Sequence, residues 1–342
     1  MNQEPNPLSS PPQAQQKPRR TVLRAVLPAV TILVLSAAGI LYGQRVVDRI
    51  QASRYDPTAQ MSAVTQRLDM TQRGIDVLYA TRPIVEAKAE FNNNCHSEER
   101  TAAILGCYYR DRIYLYDIKN TKLDGTLEVT AAHEMLHAAY QRLNFFERSK
   151  VDQLIERQYA KLKDDENLKE VMKYYEKAEP GAEINELHSI LGTTVAQLDP
   201  ELDRYYAQYF KDRAKVVALN AAYNKVFGDL KRQATVLEAK VKAAEPKIKE
   251  DLATYETDLK QIESDIASFN EQAKSGAFTS RSAFSATRSA LLARVDALNA
   301  RRDAINVRVA AYNEDVAALN ALSTEASELY KSINGAETAS GV

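Results

Sequence analysis

Residues 127–143 read LEVTAAHEMLHAAYQRL, and within this stretch His133 and His137 lie four positions apart. On an α-helix this spacing places both imidazoles on one face, one turn apart. Two neutral imidazoles in that arrangement can bind one Zn²⁺ ion at ~2.0–2.1 Å. Glu134 lies about 100° around the helix from His133, so its carboxylate can reach a metal-bound water without binding the metal. The stretch predicts a zinc site with Glu134 as general base, although paired histidines also occur as ordinary core residues.

Two short apolar segments precede this helix. Residues 102–109 (AAILGCYY) and 112–118 (RIYLYDI) are rich in β-branched and aromatic side chains, and Arg110-Asp111 separates them. This composition predicts a small hairpin or two strands of a sheet. Further upstream, apolar residues at helical intervals predict a helix from Asp56 to about Phe91. The histidines are thus expected to follow a strand and a turn.

The pattern HEMLH resembles the HExxH signature of zincin metallopeptidases, and the strand-then-helix lead-in is similar to their edge strand and active-site helix. The resemblance covers about residues 60–215 and implies one Zn²⁺ ion and hydrolysis of peptide bonds. It also implies an edge strand that aligns the substrate backbone, formed here by Ile113, Tyr114, Leu115 and Tyr116. The longer metzincin pattern HExxHxxGxxH is not present after His137, which favours a third metal ligand further along the chain.

Candidates for that third ligand lie in residues 183–192, EINELHSILG. Glu186 and His188 are two positions apart, so on a helix they point about 200° away from each other and only one can face the metal. The gluzincin branch of the zincins takes a glutamate from a second helix, and this resemblance implies Glu186, with His188 as the alternative. Glu183 shares a face with Glu186 and is expected to orient a ligand. Glu186 could instead be an ordinary solvated charge.

The composition narrows the class of protein. The 342 residues include 45 basic and 46 acidic side chains, which gives a formal net charge of −1. Such a balance provides no long-range attraction to nucleic acid. The expected partner, a peptide or protein substrate, is what the resemblance to zincin metallopeptidases implies. Few glycines and many charged residues favour helix. We expect a mainly α protein with a small β element, in which residues 56–215 form the zincin-like domain.

The N-terminal region predicts a membrane anchor. Residues 1–24 are rich in proline, glutamine and serine and are expected to form a disordered cytoplasmic tail. The eighteen uncharged residues from Ala25 to Tyr42 are long enough to span a bilayer as a helix. A cleaved signal peptide is the alternative. Residues 43–55 are then expected to be a short charged stem between the membrane and the domain.

The two cysteines indicate the compartment. Cys95 and Cys107 are the only cysteines of the chain, and both follow the predicted span. An even number beyond a membrane segment favours one disulfide in an oxidising compartment, and two reduced thiols in a cytosolic domain are the alternative. We expect a single-pass protein of the cell membrane with a cytoplasmic N-terminus and extracytoplasmic domains, in an architecture typical of a bacterial envelope.

The C-terminal third shows a different pattern. Apolar residues alternate at intervals of four and three from Tyr223 to Phe269, and a second series runs from Leu291 to Leu319, with Arg302 in one of its positions. Such heptads are typical of coiled coils. A break at Gly276 predicts an antiparallel helical hairpin over residues 216–335, followed by a disordered tail at 336–342. One long dimeric rod is the alternative, and the hairpin is a possible docking site for a protein partner.

Together these features predict a membrane-anchored extracytoplasmic zinc metalloendopeptidase. The alternative is a non-enzymatic scaffold of the cell envelope, in which the zinc is structural and the hairpin binds a partner protein. A closed site with four protein ligands would favour the scaffold, because catalysis needs an open coordination position.

Overall fold

The computed structural model describes residues 42–95, 105–178 and 180–333, together with residues 1 and 39. In these ranges the chain is mainly helical, with one three-stranded sheet and a long pair of helices. The tails expected at 1–24 and 336–342 lie outside the described residues, as does nearly all of the span expected at 25–42. No helix within the described ranges is long and apolar enough to cross a membrane.

The first half of the fold combines short helices with the sheet. Its elements are α1 (42–52), α2 (Ala59–Arg67), α3 (Gln72–Ala80), β1 (Ile84–Glu86), α4 (Lys88–Asn94), β2 (Gly106–Tyr109), β3 (Arg112–Tyr116), a 3₁₀ turn (Thr121–Leu123) and α5 (Thr126–Gln141). The second half is helical: α6 (Phe145–Lys161), α7 (Glu166–Ala178), α8 (Glu183–Thr193), α9 (Pro200–Tyr206), α10 (Arg213–Ser275) and α11 (Arg281–Ile333).

The segment expected to form one helix from Asp56 to Phe91 is divided. Thr58 and Thr71 cap α2 and α3 through their side-chain oxygens, which accept hydrogen bonds from backbone N–H groups. Beyond α3, residues 84–86 pair with β3 as a strand. The prediction of a continuous helix is therefore wrong, because two threonine caps and a short strand interrupt an otherwise helical spacing of apolar residues.

The sheet has the strand order β1–β3–β2. β2 and β3 form the predicted hairpin, and its two turn residues, Arg110 and Asp111, have φ values of 49° and 59°. Such left-handed pairs are typical of two-residue hairpin turns. β1 lies parallel to β3 on the other side, which makes β3 the central strand. The expectation that Ile113 to Tyr116 form the edge strand is wrong, because both edges of β3 are paired.

The two faces of the sheet have different neighbours. Ile113 and Leu115 are buried on the face that packs against α5. The antiparallel register places Gly106 opposite Leu115 and therefore on this same face. Cys107 lies on the other face and forms the predicted disulfide with Cys95, which follows α4.

The segment expected to be a stem belongs to the folded domain. Residues 42–52 form α1, and the carboxylate of Asp48 is fully buried. It accepts hydrogen bonds from Arg142 Nε at 2.9 Å and from Arg73 Nη1 at 2.6 Å. Because these ion pairs tie α1 to α3 and to the end of α5, residues 43–55 do not act as a separate spacer.

α10 and α11 form the predicted antiparallel hairpin. α10 ends at Ser275, and Gly276 follows in a left-handed conformation with φ = 70°. Near this turn, the ring centroids of Phe269 and Phe284 lie 5.1 Å apart, as the antiparallel pairing requires. Between residues 223 and 319, the buried residues of the two arms all belong to the predicted heptad seams: Leu230, Ile262, Leu298 and Ile305.

The hairpin is continuous with the domain. α10 begins at Arg213, so the boundary expected between residues 215 and 216 falls within its first turn. The Arg213 guanidinium donates to Asp203 at 2.9 Å and to the carbonyl oxygens of Val195 at 2.6 Å and Ala196 at 2.9 Å. The base of the hairpin is thereby fixed to the segment that follows α8.

Candidate metal centre

α5 presents two histidines toward one point. It runs through the middle of the domain, between the sheet and α8, and most of its residues are buried. The Nε2 atoms of His133 and His137 lie 3.1 Å apart, and their rings meet edge to face. The predicted placement of both imidazoles on one helix face is therefore confirmed.

α8 brings a carboxylate to the same point. Glu186 Oε1 lies 3.5 Å from His137 Nε2, and Glu186 Oε2 lies 3.8 Å from His133 Nε2. α8 can come this close to α5 because Gly192 has no side chain: a Cβ there would stand 2.4 Å from Leu136 Cδ1. His133, His137 and Glu186 thus offer three ligand atoms within 4.8 Å of one another, which makes this group able to hold a metal ion.

The separations fit a zinc ion. Ligand atoms at ~2.0–2.1 Å from a tetrahedral zinc lie about 3.3–3.4 Å from each other. The two Nε2 atoms lie 3.1 Å apart, and each lies near a different carboxylate oxygen of Glu186, at 3.5 Å for His137 and 3.8 Å for His133, so the contacts among the three side chains are close to this value. Glu186 Oε2 is buried and has no hydrogen-bond partner, which is costly for a carboxylate oxygen unless a cation satisfies it. Two imidazole nitrogens and one carboxylate oxygen form a donor set that zinc accepts.

The protonation states also suit a metal. Burial lowers the pKa of His133 to about 4. Burial and the neighbouring His133 lower the pKa of His137 to about 4, although Glu186 acts in the opposite direction. Both rings are therefore neutral at pH 7, as ligation requires. Burial raises the pKa of Glu186, while His137 and a hydrogen bond with Tyr175 oppose that increase.

His188, the alternative third ligand, points away from this group. Its Nε2 lies 2.8 Å from the hydroxyl of Tyr205, and its ring packs against Tyr140 and Tyr206. It is fully buried, and burial together with His137 and His133 lowers its pKa to about 3. His188 is a core residue of α8, as the 200° separation from Glu186 implies once Glu186 faces the histidines.

Glu183 does not have the position that was expected for it. Its Oε1 accepts a hydrogen bond from the backbone N–H of Gly181 at 3.0 Å. This bond and one from its own backbone N–H lower the pKa of its carboxyl. Glu183 therefore binds the backbone of the loop before α8 instead of orienting a ligand.

Glu134 lies between α5 and the edge of the sheet. It is buried, and β2 passes directly over it: a Cβ on Gly106 would stand 3.0 Å from Glu134 Cγ and 3.2 Å from its Oε1. The same Cβ would stand 2.5 Å from Thr130 Cγ2. Only a residue without a side chain fits here, so Gly106 allows the edge strand to lie against the carboxylate.

Sequence reasoning missed two contributors to this site. Tyr175 on α7 hydrogen-bonds Glu186, and nothing in the local pattern of α7 distinguishes it from the adjacent Tyr174. Gly106 carries a weak signal, since an isolated glycine within a strand often marks a close approach. The chain was also compared with protein-family models, curated proteins and solved structures, and no match was found.

Proposed function

We propose that this chain is a membrane-anchored zinc metallopeptidase that hydrolyses peptide bonds outside the cytoplasm. The observation that carries the proposal is the convergence of His133, His137 and Glu186 on one point, with separations of 3.1–3.8 Å and an unsatisfied carboxylate oxygen. The neutral state of both imidazoles adds support. A zinc ion held there supplies a Lewis acid that activates water at neutral pH.

The number of ligands favours catalysis over a structural role. Within the described ranges, the group that could hold a metal contains three residues, and His188 is turned away from it. Structural zinc sites use four protein ligands, whereas catalytic sites use three and keep one position open. His133 is also partly exposed, with 20% of its side chain accessible to solvent, so the group opens to the outside.

Glu134 is the general base in this proposal. It directly follows His133 on α5, and its carboxylate lies beside the edge strand. One of its oxygens takes a proton from the attacking water as the water oxygen bonds to the peptide carbonyl carbon. The same oxygen returns the proton to the amide nitrogen as the carbon–nitrogen bond breaks.

The substrate backbone is proposed to lie along β2, in place of the strand expected from the sequence. Among the described residues β2 is an edge strand, and Tyr116 N–H bonds to the carbonyl of Leu105. Because hydrogen-bonded pairs alternate in an antiparallel ladder, the backbone groups of Gly106 and Tyr108 point to the open edge. An extended peptide could pair with them and pass close to Glu134.

Zinc content and hydrolysis test the proposal together. We expect the full-length protein to bind one zinc per chain, and Glu186→Ala to lose most of it. Glu183→Ala is the matched control, since it removes a carboxylate from the same helix without touching the histidines. Glu134→Gln should keep its zinc but cleave a quenched-fluorescent unfolded protein about 10²–10⁴-fold more slowly.

The third ligand, the general base and the hydrolytic activity are each tested by a different outcome. Equal zinc in Glu186→Ala and Glu183→Ala would show that the third ligand is wrong. Unchanged cleavage by Glu134→Gln would remove the general base. A wild-type protein that holds zinc and cleaves nothing would favour the envelope scaffold.

A further inference from the structure

The exposed apolar side chains of the domain are concentrated at one end. Among the described residues from 42 to 212, the large apolar side chains that are well exposed are Tyr42, Val46, Val47, Ile50, Tyr109, Phe145, Phe146 and Val171. All except Val171 belong to α1, to the β2–β3 hairpin or to the start of α6. These three elements meet around Arg142, and the seven residues are called the Arg142 face below.

Arg142 joins the three elements rigidly. Its Nε donates to Asp48 of α1 at 2.9 Å, and its Nη2 donates to Asp111 of the β2–β3 turn at 2.7 Å. Its Nη1 donates to the hydroxyl of Tyr108 at 3.0 Å. Phe145, the first residue of α6, follows only three positions later. The exposed residues therefore lie on elements that are bonded to Arg142 or begin within three residues of it.

The outward side of α1 is apolar. Val46 and Ile50 are each two positions from the buried Asp48, which places them about 200° around the helix, facing away from the domain. They are 56% and 48% exposed, and Tyr42 continues the same row. Phe145 and Phe146 are 81% and 73% exposed. Such exposure of two adjacent phenylalanines is unusual for a surface that faces only water.

The position of the Arg142 face next to the predicted span indicates what kind of surface it contacts. α1 follows directly on the apolar run from Ala25 to Tyr42, so the chain enters the domain at the Arg142 face. Arg45 lies over the ring of Tyr42, at 5.7 Å from its centroid, and Arg49 is largely exposed. Aromatic rings with flanking arginines are typical of protein surfaces at the lipid headgroup level.

We propose that the Arg142 face docks on the bilayer surface, with Phe145 and Phe146 inserted among the headgroups. The inference rests on the membrane anchoring proposed above and not on the hydrolytic activity. His137 lies five positions before Arg142, about 7–8 Å along α5, so the metal centre is held near the membrane. If the hydrolytic proposal also holds, substrates are chain segments close to the bilayer.

Tryptophan fluorescence can test this directly, because the chain contains no tryptophan. Three single-tryptophan variants of the full-length protein are placed in nanodiscs of phosphatidylcholine and phosphatidylglycerol, with and without brominated acyl chains. Phe146→Trp reports on the Arg142 face, and Leu33→Trp reports on the predicted span. Val307→Trp is the matched control, since Val307 is 70% exposed on the hairpin.

We expect brominated lipid to quench Leu33→Trp and Phe146→Trp, and to leave Val307→Trp unchanged. Phe146→Trp should also emit at shorter wavelength than Val307→Trp. Phe145→Trp repeats the measurement at a second exposed site and should behave like Phe146→Trp.

The other outcomes overturn the docking proposal in distinguishable ways. Quenching of Leu33→Trp without quenching of Phe146→Trp would show an anchored chain whose domain stands clear of the lipid. A blue shift of Phe146→Trp without quenching would show a face covered by protein, such as a second copy. Equal quenching of Val307→Trp would show that the face is not specific. Absence of quenching at Leu33 would disprove the anchor, while zinc binding and cleavage would still test the peptidase separately.

Discussion

The domain and the hairpin bury different kinds of side chain. The domain buries ionisable groups at its centre, including Asp48, Glu134, His137, Glu186 and His188. From residue 216 onward, the buried residues among those described are all apolar. Buried ionisable groups are costly and persist where they have partners or chemistry to perform. The domain thus contains the candidate metal centre, whereas the buried side chains of the hairpin only hold its two helices together and to the domain.

The charges of the hairpin show the same contrast. Three arginines on α11 pair with aspartates on α10 at steps of seven residues: Arg294 with Asp265, Arg301 with Asp258 and Arg308 with Asp251. All six side chains are partly exposed, so each pair contributes little stability but marks the antiparallel register. Arg302, which occupies a position of the predicted seam, is instead exposed and pairs with Asp303.

Acidic pH should produce the largest difference in native stability between the domain and the hairpin. The pKa values of His133 and His137 are lowered to about 4, and that of His188 to about 3, from 6.5 in an unfolded chain. As pH falls from about 6.5 toward 4, the unfolded state takes up protons that the native imidazoles do not, so native stability falls. The shift corresponds to roughly 3 kcal/mol for His133 and for His137, and to more for His188. The raised pKa of Glu186 acts in the opposite direction but involves one group.

Hydrogen exchange of the metal-free protein between pH 7 and pH 4, corrected for intrinsic rates, can measure this loss by region. Amides of α5 and α8 should lose protection, whereas the middle of the hairpin should keep it, because no histidine lies beyond His188. Bound zinc should preserve protection in α5 until protons displace the ion near pH 4. Equal loss in both regions would contradict the contrast.

The second-largest difference should be in how much the ion pairs of the domain and those of the hairpin contribute to stability. Burial alone would lower the pKa of Arg142, but Tyr108, Asp48 and Asp111 raise it above its usual value, so its charge is permanent. Asp48→Asn removes the buried carboxylate partner of this charge and leaves only the exposed Asp111, which we expect to destabilise the domain by about 3–5 kcal/mol. Asp258→Asn removes the partner of Arg301 in the hairpin and should cost less than about 1 kcal/mol.

Urea unfolding of the two variants, followed by hydrogen exchange in α1, α5 and α10, provides the measurement. The comparison fails if Asp48→Asn is as stable as Asp258→Asn. A small effect at Asp48 would also indicate that α1 is not packed firmly on the domain. Residues 43–55 would then act as the separate stem that the sequence predicts.

The two regions also differ in how much of their structure could be predicted from the sequence. Heptad spacing is local, and each turn of a coiled coil repeats the same contacts, so the seam and the break at Gly276 were predicted. The contact of Phe269 with Phe284 follows from folding the two arms at that break. His133 and His137 were predictable for the same reason, because helical geometry alone brings them together.

Features that depend on distant pairing were not predictable. β1 has only three residues, and its pairing with β3 converts the expected edge strand into the central one. The buried environment of Asp48 depends on Arg73 and Arg142, which are 25 and 94 positions away. Spacing within α8 left Glu186 and His188 as alternatives, and only the resemblance to gluzincins favoured Glu186, because the rotation of α8 against α5 decides which of the two faces the histidines. Such long-range contacts leave no periodic signal.

The smallest expected effects come from alanine substitutions at two glycines, one in the domain and one in the hairpin. Gly106→Ala would place a Cβ 2.5 Å from Thr130 Cγ2 and 3.0 Å from Glu134 Cγ, so either β2 or Glu134 must move. We expect a cost of about 1–3 kcal/mol and slower cleavage with zinc retained. Gly276→Ala meets open space but requires φ = 70°, so its cost of roughly 1–2 kcal/mol should stay at the hairpin turn and leave cleavage unchanged. Adding Thr130→Ser to Gly106→Ala removes the closest clash and should recover part of the cleavage rate in a zinc-loaded assay. If the double variant cleaves no faster than Gly106→Ala alone, contact with Thr130 is not what requires a glycine beside Glu134.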